Sequence, residues 1–136
     1  MIDRSRERCG AVRDWMTKRP ATVAPDSSIG AALARMRHAE VRHLLVVDAD
    51  RLVGIVSHRD WRRIDAGDTA AGWERQPVTR IMTEDPVTVA PETPVTAAAR
   101  VLLERKIGCL PVRDGEAIVG IFTTSDALEA LLSALE

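Results

Sequence analysis

The sequence has few aromatic residues and almost no net charge. Only 3% of its 136 residues are aromatic, Tyr is absent, and the formal net charge is −1. Single-stranded nucleic acids bind to platforms of aromatic side chains, and duplexes and anionic membranes attract strongly basic proteins. The composition therefore argues against binding to nucleic acid or to a membrane surface.

Cysteines and long apolar runs are also scarce. Cys9 and Cys109 are the only cysteines, and neither has another Cys or His at zinc-site spacing. We therefore expect two free thiols in a reducing compartment and no metal site. The longest apolar runs, such as residues 117–122, are much shorter than the ~20 residues of a membrane helix. Residues 1–10 are charged and lack the apolar core of a signal peptide, so these absences predict a cytoplasmic protein.

The chain contains an internal repeat. Met16-Thr17 returns as Met82-Thr83, 66 positions later, and the other matching pairs have the same offset. These pairs include Pro20 and Pro86, residues 22–25 and 88–91, residues 53–55 and 119–121, and Asp60 and Asp126. Two copies are too few for a solenoid, so we expect a closed pair with pseudo-two-fold symmetry.

Each copy predicts the element order β-α-β-β-α. Apolar residues at i, i+3, i+4 and i+7 indicate helices, and short apolar runs bounded by proline or polar turn residues indicate strands. In the first copy, the predicted elements are a strand at 22–24, a helix capped by Ser27, strands at 44–47 and 52–56, and a closing helix. In the second copy, they are a strand at 88–90, a helix capped by Thr93, strands at 109–112 and 118–122, and a closing helix with a leucine stripe. We expect Thr17 and Thr83 to form local turn hydrogen bonds. The predicted organisation is an N-terminal arm (1–15), a first repeat (12–66), a linker (67–77) and a second repeat (78–136).

Each copy ends its last strand with a hydroxyl residue that is followed by an Asp three positions later. The two motifs are Ser57-His58-Arg59-Asp60 and Thr123-Thr124-Ser125-Asp126. Such a motif predicts a strand that meets a helix start, where free N–H groups and the helix dipole favour a phosphate. The ionised Asp is an acceptor for a pair of sugar hydroxyls. The same spacing also forms a capping box, which only closes a helix end. Both interpretations stay open, and the duplication favours a ligand.

This ordered set of motifs resembles a pair of CBS (cystathionine-β-synthase) domains, also called a Bateman module. The resemblance rests on the Met-Thr pair, the Pro-x-Thr-Val strand and the Gly-apolar-apolar-Ser/Thr-x-x-Asp motif, and it covers residues 12–135. It implies an α/β (α+β) fold in which two pseudo-symmetric β-α-β-β-α repeats pack sheet to sheet with the helices outside. It also implies a stand-alone pair that binds AMP, ADP or ATP, or else S-adenosylmethionine or NAD, and that forms a homodimer through its helices.

The resemblance implies two ligand clefts, and each combines the Ser/Thr-x-x-Asp motif of one repeat with strand residues of the other. One cleft would contain Thr22, Val23, Val41, Arg42, His43, Thr123, Thr124 and Asp126. The other would contain Ser57, His58, Asp60, Thr88, Val89, Ile107, Gly108 and Cys109. In the family, the Asp binds the ribose hydroxyls, the hydroxyl residue helps to hold phosphate, and the first strand holds adenine.

The two predicted clefts differ in charge. Arg42 and His43 of the first copy correspond to Gly108 and Cys109 of the second. Arg is always charged and binds phosphate in a bidentate way, and a histidine adds charge below about pH 6.5. We therefore favour the cleft with Asp126 as the phosphate site. In the other cleft, the His-Arg pair after Ser57 either compensates or remains a solvated surface pair.

The favoured function is a regulatory module that binds an adenine nucleotide and signals to an effector protein of unknown identity. The alternative is a structural or interaction module whose motifs are only capping boxes. The criterion is whether the two Asp carboxylates face a cleft or bond their own helix ends. An enzyme is not expected, because the sequence shows no nucleophile–base pair, metal-ligand cluster or glycine-rich phosphate loop.

Overall fold

The computed structural model describes residues 9–63 and 72–136, without the side chains of residues 61–63. Within these residues the chain forms seven strands and three α-helices. In chain order they are β1 (Thr17–Lys18), β2 (Thr22–Val23), α1 (Ile29–Ala39), β3 (His43–Asp48), β4 (Arg51–Ser57), β5 (Thr83–Glu84), α2 (Val95–Arg105), β6 (Cys109–Asp114), β7 (Ala117–Thr123) and α3 (Thr124–Leu135). Short 3₁₀ helices cover Val12–Asp14, His58–Arg63, Trp73–Arg75 and Val78–Arg80. The predicted α/β class is confirmed, because helices accompany two separate sheets.

The chain divides into two compact units. The first unit is Ala21–Pro86, and the second unit joins Val87–Glu136 to the segment that ends at Pro20. None of the helices in residues 9–63 and 72–136 combines the length and the hydropathy that a membrane span requires.

The first unit contains a four-stranded sheet in the order β2-β3-β4-β5. β2 runs parallel to β3, and the other neighbouring strands are antiparallel. α1 begins after Ser28, whose Oγ accepts the Ala31 N–H at 3.1 Å, and ends at Glu40 in a left-handed conformation. The apolar face of α1 packs into a core made of Ile29, Ala32, Met36, Leu44, Val46, Val56, Val78 and Ile81.

The second unit contains a three-stranded antiparallel sheet in the order β1-β7-β6. α2 and α3 contact each other, α2 contacts β6, and α3 contacts β7. The core consists of Cys9, Val12, Val95, Ala98, Leu102, Leu110, Val112, Phe122 and Ala130. An isolated parallel bridge from Val89 to Val112 stands where the sequence predicts a strand at 88–90.

The first strand of each sequence copy belongs to the sheet of the other copy. β1 precedes the first copy but pairs with β7, so that Thr17 lies opposite Ile121. β5 precedes the second copy but pairs with β4, so that Thr83 lies opposite Ile55. The local turn role predicted for Thr17 and Thr83 is therefore wrong. A strand of two residues has no periodicity that could indicate its partner.

Two glycines make this exchange possible. A Cβ at Gly120 would lie 2.7 Å from Met16 Sδ and 2.8 Å from the Thr17 carbonyl oxygen. A Cβ at Gly54 would lie 2.6 Å from Met82 Sδ and 2.9 Å from the Thr83 carbonyl oxygen. Because real Cβ contacts are longer than this, each exchanged strand passes at a distance that only glycine allows. In each sheet, a Met-Thr motif therefore packs directly against a Val-Gly-Ile motif.

Two predicted helix caps are wrong in detail. α1 is capped by Ser28 rather than by Ser27, because Ser28 has the extended backbone that a capping residue needs. α2 starts after Pro94 without a side-chain cap. The Thr93 hydroxyl instead accepts the N–H of Ala90 at 3.1 Å and so closes the preceding turn.

The closing elements of the two copies also differ. The second copy closes with α3, whereas the described residues after β4 form the 3₁₀ helix His58–Arg63. The leucines at 128, 131 and 132 correspond to Arg62, Asp65 and Ala66, so the first copy lacks the apolar stripe of a packed helix. Residues 64–66 of the first repeat, residues 67–71 of the linker and residues 1–8 of the arm lie outside the described residues.

Candidate functional site

The predicted site residues fall at equivalent positions of the two units. The first unit holds Thr22, Val23, Val41, Arg42, His43, Ser57, His58 and Asp60, and the second unit holds Thr88, Val89, Ile107, Gly108, Cys109, Thr123, Thr124 and Asp126. Within each unit, the Ser/Thr-x-x-Asp motif that the sequence assigns to one cleft therefore lies beside the strand-start residues that the sequence assigns to the other cleft. The combination of residues from both units into a cleft stays a prediction.

In the first unit, the ends of β3 and β4 meet at the candidate site. His43 begins β3 and lies opposite Ser57, the last residue of β4. The His58 N–H donates to the Arg42 carbonyl oxygen at 2.8 Å. Thr22 and Val23 pair with the following part of β3, and Val41 packs against the unit's core. The strand-start residues and the hydroxyl motif of this unit are therefore held together by backbone pairing.

Asp60 closes the start of the 3₁₀ helix that follows β4. Its Oδ2 accepts the Ser57 N–H at 2.6 Å, and the residue is 8% exposed. Burial lowers the pKa of His43 below its usual value of 6.5, against an opposing effect of Asp60, and Arg59 and Arg42 lower this pKa further. His43 is therefore neutral near pH 7 in the unliganded protein.

In the second unit, the same backbone arrangement carries different side chains. Cys109 lies opposite Thr123, and the Thr124 N–H donates to the Gly108 carbonyl oxygen at 3.1 Å. Val89 is held by two backbone hydrogen bonds, one to Pro111 and one from Arg113. Ile107 and Gly108 are exposed. This unit therefore has no basic side chain at the positions of Arg42 and His43.

Asp126 forms a capping box at the start of α3. Its Oδ2 accepts the Thr123 N–H at 2.8 Å, and the Thr123 hydroxyl accepts the Asp126 N–H at 3.3 Å. The other carboxylate oxygen of Asp126 accepts no hydrogen bond from residues 9–63 or 72–136. Asp126 is half-buried, unlike the buried Asp60. Burial raises the pKa of the adjacent Cys109 thiol, and the charge of Asp126 adds to this shift, so the thiol stays protonated and unreactive.

The comparison with known proteins identifies the family. The CBS domain model matches residues 12–67 and 78–133, which form two tandem domains. The chain belongs to the CBS domain family. A CBS domain-containing protein of Dictyostelium discoideum is 31% identical over 135 residues, covering 92% of this chain and 93% of the relative.

Solved CBS structures share the fold. The crystal structure of CBSX2 in complex with AMP is 32% identical with a TM-score of 0.80, and the match covers 93% of this chain and 99% of that one. The CBS domain pair of protein MJ0100, in complex with 5′-methylthioadenosine and S-adenosyl-L-methionine, is 27% identical with a TM-score of 0.79. That match covers 93% of this chain and 98% of the other.

Both CBS motifs bond to their own helix starts, as the capping alternative requires. A carboxylate has two oxygens, however, and the cap uses one of them in each copy. The backbone contact between Arg42 and His58 was not foreseen from the sequence, although the offset of 66 relates it to the contact between Gly108 and Thr124. Across residues 9–63 and 72–136, no group of three His, Cys, Asp or Glu side chains has the arrangement of a metal site.

Proposed function

We propose that this CBS pair is a regulatory module that binds an adenosine compound, with Asp126 as the acceptor for the ribose hydroxyls. The observation that supports the proposal most directly is the Asp126 carboxylate, which keeps one oxygen without a partner among the described residues while the other fixes its position. An ionised carboxylate is an acceptor only, and its bonds to hydroxyl donors are charge-assisted. The adenosine ligands of CBSX2 and of protein MJ0100 support this ligand class.

The start of α3 is less suited to a phosphate than the sequence motif suggests. The Thr124 N–H is bonded to Gly108, and the Asp126 N–H is bonded to the Thr123 hydroxyl. Few N–H groups are thus left for an anion at this helix start. We therefore assign the sugar to Asp126 and assign the phosphate to Arg42 and His43, as in the cleft favoured from the sequence.

The test is thermal unfolding with AMP, ADP, ATP, S-adenosylmethionine and NAD. A ligand at 100 times its Kd adds about 2.7 kcal/mol to the free energy of unfolding, which raises the midpoint by about 9 °C for a chain of this length. The informative variant is Asp126→Asn, because Asn still accepts the Thr123 N–H and keeps the cap. It replaces the other oxygen by an NH₂ group, which costs about ten- to a hundredfold in affinity. The shift should fall to about half or less.

The matched control is Asp60→Asn, which makes the same change in the other copy. It should leave a ligand-induced shift at least as large as that of the wild type, because it removes no acceptor for the ribose of this ligand and takes a negative charge away from His43. A shift lost only in Asp60→Asn would mean that the other cleft binds the ligand. No shift with any of the five compounds would contradict the proposed function.

A second candidate function is an interaction module without a ligand. It is favoured by the hydrogen bonds of both carboxylates to their own helix starts, from Ser57 to Asp60 and from Thr123 to Asp126. In that case Asp126→Asn removes no contact with a ligand. The thermal midpoint of the variant would then differ from that of the wild type by the same amount with and without nucleotide.

We also propose that the chain forms a homodimer through its helices. α3 exposes Leu128, Leu131, Leu132 and Leu135, of which the last is 77% exposed, and Leu103 on the contacting α2 is 79% exposed. Contiguous exposed leucines favour a protein partner over solvent.

The proposed role is regulatory, so ATP should remain intact after prolonged incubation with the protein, as chromatography of the nucleotide would show.

A further inference from the structure

The last helix of the second unit turns its small side chains inward and its large ones outward. Ala130 is fully buried, and Ala127 and Ala134 pack against the core of the unit. The opposite face of α3 exposes four leucines at i, i+3, i+4 and i+7, which are Leu128, Leu131, Leu132 and Leu135. Together with the exposed Leu103 of α2, they form what we call the leucine patch. Because an amphipathic helix normally buries its large apolar side chains, the leucine patch indicates a surface that a partner covers.

The first unit has no counterpart of the leucine patch. The offset of 66 places Arg37 at the position of Leu103, and the positions of the four α3 leucines hold Arg62, Asp65, Ala66 and Thr69. Arg37 is exposed on α1. Across the described residues of this unit, no large apolar side chain is exposed. A head-to-tail dimer, in which the first unit of one copy meets the second unit of the other, would therefore press leucines against charged residues, whose burial is costly.

The charges around the leucine patch are complementary to one another. α2 and the residue after it carry three bases and one acid, which are Arg100, Glu104, Arg105 and Lys106. α3 and the residue after it carry acids and no base, and these acids are Asp126, Glu129 and Glu136. Glu129 and Glu136 form no ion pair within residues 9–63 and 72–136. In a two-fold contact the same surface meets itself, so α2 of one copy can face α3 of the other and bases then meet acids.

We propose that the second unit alone forms the homodimer interface, with the leucine patch of one copy packed on the leucine patch of the other. The inference rests on the homodimer of the proposed function and assigns its contact to α2 and α3, whereas α1 takes no part. Such a contact closes at two copies, because both copies use the same surface. The leucines form the apolar centre of the interface, and the charges of α2 and α3 form its rim.

The experiment measures the dissociation constant of the dimer by analytical ultracentrifugation for the wild type, Leu103→Glu and Arg37→Glu. The two substitutions are matched, because positions 103 and 37 are equivalent in the two copies and both side chains are exposed. Each variant therefore adds the same carboxylate to the surface of one unit. Circular dichroism checks that both variants fold.

Leu103→Glu should raise the dissociation constant by about tenfold or more, because the contact would bury a carboxylate among leucines. Arg37→Glu should stay within about twofold of the wild type, which is the usual range for a surface substitution. An effect of Arg37→Glu as large as that of Leu103→Glu would overturn the inference, because the first unit would then belong to the contact. An unchanged dissociation constant in Leu103→Glu would overturn it as well.

Distances between spin labels test the symmetry of the contact. Glu104→Cys and His38→Cys place a label at equivalent exposed positions of α2 and α1, while the native cysteines are buried. Dimers labelled at position 104 should give a short distance, because packed helices lie about 8–10 Å apart, and dimers labelled at position 38 should give a longer one. If the shortest distance instead joins position 104 of one copy to position 38 of the other in mixed dimers, the dimer is head-to-tail and the inference is wrong.

These outcomes separate the inference from the proposed function. A wild type that stays monomeric at all concentrations would contradict the proposed homodimer and the inference together, and would leave the leucine patch to a different protein. A dimer that depends on Arg37 rather than on Leu103 would keep the proposed homodimer and overturn only the inference. Adenosine binding is measured independently, by the ligand-induced thermal shift.

Discussion

Replacing Gly120 by Ala tests the contact that ties β1 to β7. The added methyl would lie 2.7 Å from Met16 Sδ and 2.8 Å from the Thr17 carbonyl oxygen. The thioether can rotate away, but the carbonyl oxygen belongs to the backbone of a paired strand and moves only with that strand. Overpacking of this kind costs about 1–3 kcal/mol, and the reduced entropy of the unfolded chain returns about 0.4–1 kcal/mol.

The net loss of stability is therefore about 1–2 kcal/mol, which corresponds to a fall of about 4–7 °C in the unfolding midpoint for 136 residues. Calorimetry or circular dichroism would measure it. Gly54→Ala should show a loss of similar size, because its methyl would meet Met82 and Thr83 at nearly the same distances. Hydrogen exchange at Lys18 should become faster in Gly120→Ala only, because β1 is the strand that has to move.

The double variant with Met16→Ala separates the two contacts. If the backbone carbonyl sets the cost, Gly120→Ala should still lower stability in the Met16→Ala background. Full recovery in that background would mean that the thioether alone sets the cost. A stability of Gly120→Ala within about 0.5 kcal/mol of the wild type, which is the usual range for a surface substitution, would refute the close packing of β1 on β7.

Three further outcomes follow from burial and exposure. The free energy of unfolding should fall as the pH drops below 6.5, because the lowered pKa of His43 lets the unfolded chain bind a proton that the folded chain does not. In urea titrations at pH values on both sides of 6.5, the stability of His43→Gln should depend less on pH than that of the wild type. Leu128→Glu and Leu132→Glu should convert a dimer to a monomer in sedimentation experiments without loss of folding, since both leucines are more than half exposed, and a monomeric wild type would contradict the proposed interface. Cys9 and Cys109 are free and buried, so a thiol reagent should label neither in the native protein and both after unfolding.

The sequence predicts the elements whose residues repeat with a strong period. The spacing of Ile29, Ala32 and Met36 matches α1, and these residues are buried in the first core. The strands predicted at 44–47 and 52–56 lie within β3 and β4, which extend by one residue at each end. Burial alternates or runs continuously over these stretches, so a local pattern is sufficient to identify them.

The remaining features depend on contacts between distant residues. Neither β1 nor β5 has more than two residues, and each pairs with a strand that the local pattern does not indicate. The candidate site shows the same limit. Its residues were predicted one by one, but the grouping of Arg42 with His58 arises from a hydrogen bond between the ends of two strands. The assembly of the clefts from both repeats stays a prediction.

The exchange of β1 and β5 also sets the order in which the chain can fold. β5 pairs with β4 across about 30 residues, so the first sheet can be completed as soon as the chain reaches Glu84. β1 pairs with β7 across about 100 residues, so the second sheet is complete only after β7 has been made. Such distant pairing is slow because the loop must close before the contact contributes. During synthesis, β1 therefore has no partner strand until the chain has been made as far as β7.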